Sequence, residues 1–300
     1  MASANQFQFT EIGARLRAYR LGKGISPEDL ADRIGISRAA LYRAEKGEIR
    51  KIDTLTSIAE VLGVSLPSLM GVGVEYVSTA VAFFERMRQL EEECQQIIGL
   101  FSPISYLLTS DNYDQVLREV LMEANQPLDP GERSKEEAIN ELLAVLQARK
   151  RTFREKRPLI VSLISTGDLE RFLVHGLVGR YDLPQSVVQE RRRMAFKEAG
   201  HIIDVIQSQP MGIQVGLVQE PIPATSFQIF RQPDRSVLAI SPYRLGEQPN
   251  IRLGVALITS APEAMTLHEN IADRLWNNSL KGEAAVKHIK EMIAKFGQTN

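Results

Sequence analysis

The side chains best suited to chemistry in this sequence are arginines. Arg38 and Arg43 lie in one short stretch with Ser37, Ala39 and Tyr42, and Arg17, Lys46, Arg50 and Lys51 lie near it in the chain. A guanidinium presents a planar fork that matches a carboxylate, a phosphate or the O6/N7 edge of guanine. An alanine methyl can meet the methyl of thymine. Lys46, Arg50, Lys51 and Arg17 suit phosphate, which sets register and carries no sequence information. The plainer alternative for all these cations is a solvated surface. In a second group, Tyr243, Arg244 and Arg252 suit an anionic small molecule, because a loop rich in Pro, Gly and Asn joins two apolar strands there, and Arg180, after the breaks at Gly176 and Gly179, could join them. A purely structural loop is the competing reading. The four histidines, His175, His201, His268 and His288, show no metal-ligand spacing, and Cys94 is the single cysteine. No GxSxG and no phosphate-binding loop is present. No catalytic residue, cofactor or metal is therefore expected, and the chain is read as not an enzyme. Cys94 has no neighbouring cation in sequence to lower its pKa, which speaks against a redox switch.

The arginines of the first group need a rigid element under them. Ser26 is a good N-cap, Pro27 suits the first helical position and Asp29 supplies the acidic half of a capping box. Leu30, Ala31 and Ile34 then form one apolar face, and Gly35 supplies the left-handed residue that ends the helix. Ser37 caps a second helix that buries Leu41 and Ala44 and ends at Gly47. Two short helices joined by a glycine turn, the second carrying outward arginines, form the helix-turn-helix of DNA readers.

From about Phe9 to Met70 the chain resembles the XRE family, the phage repressor and Cro type of helix-turn-helix domain. The residues that carry the resemblance are Ile12-Gly13, Leu16-Arg17, Arg20, Gly24-Ile25-Ser26, Leu30-Ala31, Ile34-Gly35-Ile36-Ser37, Leu41, Glu45-x-Gly47, Thr54-Leu55, Ile58-Ala59 and Leu62-Gly63-Val64. The resemblance implies that Ser37, Arg38, Ala39, Tyr42 and Arg43 face base edges. It also implies that Arg20 and Glu45 form a buried ion pair beneath the second helix. The family usually has Gln directly after the first cap; here it is Pro27. Any phosphate grip at Pro27 and Glu28 must then come from backbone N–H groups at the helix start.

Length and composition bound the rest. Three hundred residues, 44% hydrophobic and 24% charged, suggest about two folded domains. Net charge is only −1, yet Phe9 to Lys51 holds ten Lys or Arg against six Asp or Glu. That local surplus is a modest electrostatic footprint for nucleic acid. A lone cysteine fits a reducing compartment, the N-terminus lacks signal-peptide character, and no apolar run is long enough for a bilayer. A cytoplasmic protein without membrane association is expected.

Three segments follow from the pattern. Residues 1–71 form the DNA reader, with its first helix from about Phe9 to Leu21, Arg15 and Arg17 on the helix surface, and Asp53 or Thr54 capping a later helix. Residues 72–157 read as a helical linker. Val77, Ala80, Phe84, Met87, Cys94, Ile98 and Phe101 lie near a 3.5-residue repeat, so one helix from Val74 to Leu100 is predicted, interrupted by Glu91. It serves either as a dimerisation helix or as a helix packed on its own chain. Further helices follow at Tyr113–Ala124 and Lys135–Phe153, separated by a loop at Gln126–Gly131. The basic run from Arg149 to Arg157 is either a solvated helix end or a phosphate contact.

Residues 158–300 read as an α/β or α+β domain with a mixed sheet. Its strands are Leu159–Ser165, Ile213–Val218, Ser226–Arg231, Ser236–Ser241 and Ile251–Thr259, with a hairpin across Gln232–Arg235. Its strand order is similar to that of phospholipase-D-like sensor domains. Those enzymes carry HxK followed by Asp. His288-Ile289-Lys290 matches three letters and no Asp follows, so the catalytic motif is missing.

The sequence thus points to a multidomain transcriptional regulator, more in keeping with a repressor than an activator. It would bind a double-stranded operator with an inverted repeat as a homodimer or higher even oligomer, under control of a small-molecule effector. An antitoxin-like module that binds a protein partner is the first alternative. An enzyme with an attached DNA reader is the second.

Overall fold

The computed structural model describes residues 2–49, 51–124 and 134–297. Arg50 and the predicted loop at Gln126–Gly131 lie outside the described residues. The chain begins with five helices: α1 (Ala2–Lys23), α2 (Pro27–Ile34), α3 (Arg38–Glu45), α4 (Ile52–Leu62) and α5 (Leu66–Met70). Their ends follow the capping residues. The Ser26 hydroxyl accepts from Asp29 N at 3.0 Å, and Gly35 ends α2 at φ 71°. The Ser37 hydroxyl accepts from Ala40 N at 3.2 Å. Leu16, Leu30, Leu41, Ile58, Leu62 and Leu69 meet in a fully buried core. Helix α1 is longer than predicted, and α4 starts at Ile52 with Lys51 at its N-cap position, where no side chain caps it.

The predicted helix from Val74 to Leu100 is instead β1 (Val74–Val77), α6 (Ala80–Glu92) and β2 (Gln96–Phe101). Thr79 starts the helix by accepting from Ala82 N at 3.3 Å. Ile97 and Leu100 are buried in the cores on opposite faces of the sheet, as the alternation of a strand covered on both faces requires. Strand β2 pairs on both of its edges. The apolar seam is therefore core: Val77 and Met87 are 0% exposed and Phe84 is 5% exposed. Ala80, Cys94 and Phe101 are buried as well, so the seam presents no face for a second chain. The mixed sheet accordingly begins at Val74, and two of its strands lie in the stretch predicted as a helical linker.

The chain continues through α7 (Tyr113–Glu123), α8 (Lys135–Lys156), β3 (Leu159–Ser165), α9 (Thr166–His175), α10 (Gln185–Ser208), β4 (Ile213–Val218), β5 (Ser226–Arg231), β6 (Ser236–Ser241), β7 (Ala256–Thr259), α11 (Pro262–Asn278) and α12 (Gly282–Gly297). The seven strands lie in the order β1-β7-β6-β5-β2-β3-β4. Strands β2, β3 and β4 are parallel, and the other pairings are antiparallel. The last strand starts later than predicted, because residues 251–254 form a bend. The two parallel crossovers step the same way, so right-handedness puts α7–α10 on one face of the sheet. Helix α11 covers the other face against Leu100, Leu163, Phe227 and Leu238. After β4 the chain returns to the far side of β2 to place β5. That connection, residues 219–225, crosses beyond the carboxyl ends of β2 and β3.

The basic run at the end of α8 is divided, with Arg151, Arg154, Lys156 and Arg157 exposed. Arg149 and Lys150 are buried, paired with Glu91 and with Asp114, and Arg154 pairs with Asp111.

Candidate nucleic-acid interface and effector cavity

Helix α3 stands on a fixed base. Arg20 Nε donates to Glu45 Oε1 at 2.6 Å, with both side chains 7% exposed, and Arg20 Nη1 donates to Ile25 O at 2.9 Å. That pair ties α1 to the last turn of α3 and to the turn before α2. Ser37, the N-cap of α3, and Arg38, Ala39, Tyr42 and Arg43 on the helix are all exposed. Arg38 lies across the Tyr42 ring, 5.3 Å from its centroid, and donates to the Tyr42 hydroxyl at 3.2 Å. It also pairs with Glu28 of α2 at 2.6 Å. Both partners are solvent-exposed, so this pairing is cheap to exchange for another acceptor. The cap takes up Asp29 N and Leu30 N, leaving the Glu28 N–H at the start of α2 beside Pro27. Lys46 and Lys51 are exposed at the ends of α3 and α4.

Arg17 is half-exposed, with Nε 3.8 Å from Glu85 of α6, so its nearest opposite charge belongs to the sheet domain. Arg15, expected on the surface, is 6% exposed. It donates to Glu75 of β1 at 3.1 Å and to Glu11 at 3.1 Å, while Arg86 of α6 holds the other side of Glu75 at 2.7 Å and 3.1 Å. Arg235 from the β5–β6 hairpin pairs with Glu11. Burial and the neighbouring Arg86 together pull the Arg15 guanidinium below its ordinary range. Tyr19 donates to Tyr76 O at 3.0 Å, and Gln89 to Ala14 O at 3.0 Å. A side chain at Gly22 would put Cβ 2.4 Å from Thr79 Oγ1 and 2.7 Å from Ala82 Cβ, so glycine there permits the close approach of α1 and α6.

A family model described as "Helix-turn-helix" matches residues 16–69. This segment is a helix-turn-helix domain. A comparison with curated proteins gives no match. Among solved structures, the apo form of ComR from S. thermophilus aligns at 17% identity over 66% of this chain and 51% of that one, with a TM-score of 0.19. The alignment spans about half of that chain, and a likeness this low says nothing about the sheet that follows the helix-turn-helix domain. No helix among the described residues is long and apolar enough to cross a membrane.

The second group of arginines is dispersed. Tyr243 is buried, and its hydroxyl donates to Gly254 O at 2.9 Å, holding the loop and not facing solvent. Burial pushes that phenol up to about 12. Tyr243 and Arg244 line a cavity of about 310 Å³ at the carboxyl ends of β2 and β3, which Ile222 and Pro223 of the β4–β5 connection also line. Arg180 faces Asp182 at 3.3 Å, and Arg252 sits in the 251–254 bend; neither lines that cavity or the adjoining one of about 260 Å³. The loop between Ser241 and Asn250 lies too far along the chain from Arg180 for sequence to settle their meeting. What the sequence missed is the opposite wall, Phe83 and Phe84 of α6 with Ser105, Arg149 and Gln228. The one visible signal was Gln228, a polar residue inside an apolar strand. Cys94 is also buried, its thiol donating to Gln96 O at 2.9 Å, and burial pushes its pKa up to about 12.

Proposed function

We propose that this chain is a sequence-specific DNA-binding regulator of transcription, with a non-catalytic sheet domain that binds a small-molecule effector. The observation that carries the reading is the solvent-facing row Ser37, Arg38, Ala39, Tyr42 and Arg43 on a helix anchored from below by Arg20 and Glu45. One such helix fills one major-groove half-site, so two copies acting on an inverted repeat supply the remaining contacts. The surface that joins the copies is not the Val77–Phe101 seam, which is core. Repression by occupying a promoter is the simplest use of such binding in the cytoplasm. An effector acts only as far as it prefers the DNA-competent arrangement or its alternative.

Selection from a random DNA pool, followed by light scattering of the bound complex, tests this. The expected result is an inverted repeat with half-sites about 34 Å apart, or a multiple of that, carrying two protomers. An unordered pool, or one protomer per bound site, contradicts it.

A further inference from the structure

Three polar residues, Glu75, Gln228 and Ser162, share one cross-strand row on the face of the sheet opposite α11. Cross-strand register aligns Glu75, Ile258, Ala239, Gln228, Gly99, Ser162 and Val215 from β1 to β4. Residues in register share a face, so Gln228 points the same way as Glu75, towards α6. Gly99 stands between Gln228 and Ser162. A Cβ there would lie 2.6 Å from the Phe101 ring and 3.1 Å from Gln228 Cγ, so the glycine leaves room for both side chains.

Gln228 is 7% exposed and its Oε1 has no hydrogen-bond partner; Ser105 is 0% exposed and its Oγ has none. Both residues line the cavity of about 310 Å³. Buried polar atoms are nearly always satisfied, so an orphaned pair on two residues that line one cavity calls for an outside partner, ligand or ordered water. Arg149 also lines the cavity, but its charge is taken: Nε donates to both Glu91 oxygens at 3.2 Å and 3.1 Å, and Glu91 is 0% exposed. The inner end is therefore neutral and polar. Between the two ends Phe83, Phe84 and Phe101 offer apolar surface beside Ser102, Ser226 and Ser241.

The mouth differs. Arg171 is occupied by Asp168 at 2.6 Å and Glu247 at 3.7 Å. Arg244 makes no ion pair among the described residues; its Nε donates to Gln248 O at 3.3 Å. It is exposed and lines both this cavity and the adjoining one.

We propose that the cavity takes a small aromatic carboxylic acid that carries a hydroxyl at the end opposite its carboxylate. The hydroxyl donates to Gln228 Oε1 and accepts from Ser105 Oγ. The ring lies against Phe83, Phe84 and Phe101. The carboxylate meets Arg244 at the mouth. A volume near the lower end of ligand pockets (~300–1,000 Å³) fits one ring and its substituents. This assignment rests on the effector reading above and gives that effector a chemical class. It also gives it a route of action, since Phe83 and Phe84 sit on α6, the helix that α1 of the reader grips.

Calorimetric titration of the full-length protein without DNA tests the site. The probes are 4-hydroxybenzoate, benzoate and 4-hydroxybenzyl alcohol. 4-Hydroxybenzoate should bind at least about tenfold more tightly than either analogue, because each analogue leaves one built group unpaired. Gln228→Leu should remove the preference over benzoate, and Arg244→Gln the preference over the alcohol. Arg244 is exposed, so its variant keeps the fold if Gln228→Leu does not. No binding of any probe at millimolar concentration, or preferences that survive both variants, overturns the assignment. DNA affinity is then measured with and without 4-hydroxybenzoate. A probe that binds the cavity and leaves DNA affinity unchanged overturns effector control while the site stands. Selective DNA binding with no probe binding overturns the site while the reader stands.

Discussion

Arginines serve two regions of this molecule in opposite ways. On α3, Arg38 and Arg43 are exposed, and Arg38 rests against groups equally open to water. At the joint between α1 and the sheet, Arg15 and Arg86 are 6% and 3% exposed and close on the single carboxylate of Glu75. An exposed guanidinium gives little to stability and stays free for an outside partner. A buried one is committed, because removing its partner leaves a charge with neither water nor a counter-ion. The first arrangement suits recognition, and the second suits holding a reader in a fixed orientation.

The strongest way to break this comparison is at Glu75. Glu75→Gln leaves two guanidinium groups facing one neutral amide, and stability should fall by about 3–5 kcal/mol in urea denaturation. A fall below about 1 kcal/mol would mean that water already reaches the joint and that the two regions do not differ.

The Arg20–Glu45 pair sharpens the comparison from inside the reader, since it is a buried pair supporting an exposed surface. Arg20→Met and Glu45→Met should each destabilise more than half of what the double variant loses. The coupling energy should be about 0.5–3 kcal/mol. Strict additivity would show that the pair does not act as a unit. Because α3 rests on it, each single variant should also weaken DNA binding, though neither residue touches solvent on the reading face.

The reader was legible because its instructions are local. Ser26, Gly35 and Ser37 fix the helix ends within a few residues, and Leu30, Leu41 and Ile58 mark the core by spacing alone. The joint was not legible. Arg15 meets Glu75 across 60 positions and Arg235 meets Glu11 across 224, and nothing near Arg15 in sequence distinguishes it from a surface arginine. The segment from Val74 to Phe101 misled for a related reason. Its apolar residues fall near a helical repeat by coincidence, while the strands on either side of β2 come from Leu159–Ser165 and Ser226–Arg231. Strands of a sheet are defined by such distant partners. The strands after Pro158 and the hairpin at Gln232–Arg235 could be read because they are bounded by their own turn residues. The cavity was half legible. The loop that carries Tyr243 and Arg244 advertises itself by composition, but Phe83, Phe84 and Ser105 look like ordinary core until the fold brings them to the same crevice.

The most direct test of the reader is a comparison of two DNAs at one fixed salt concentration. Wild type, Arg38→Ala and Arg43→Ala are titrated against the selected site and against random sequence, with melting temperatures recorded for each. Each variant should lose about tenfold or more in affinity for the selected site, with a much smaller loss on random DNA and unchanged melting. Equal losses on both DNAs would reduce Arg38 and Arg43 to phosphate contacts and contradict sequence reading by α3.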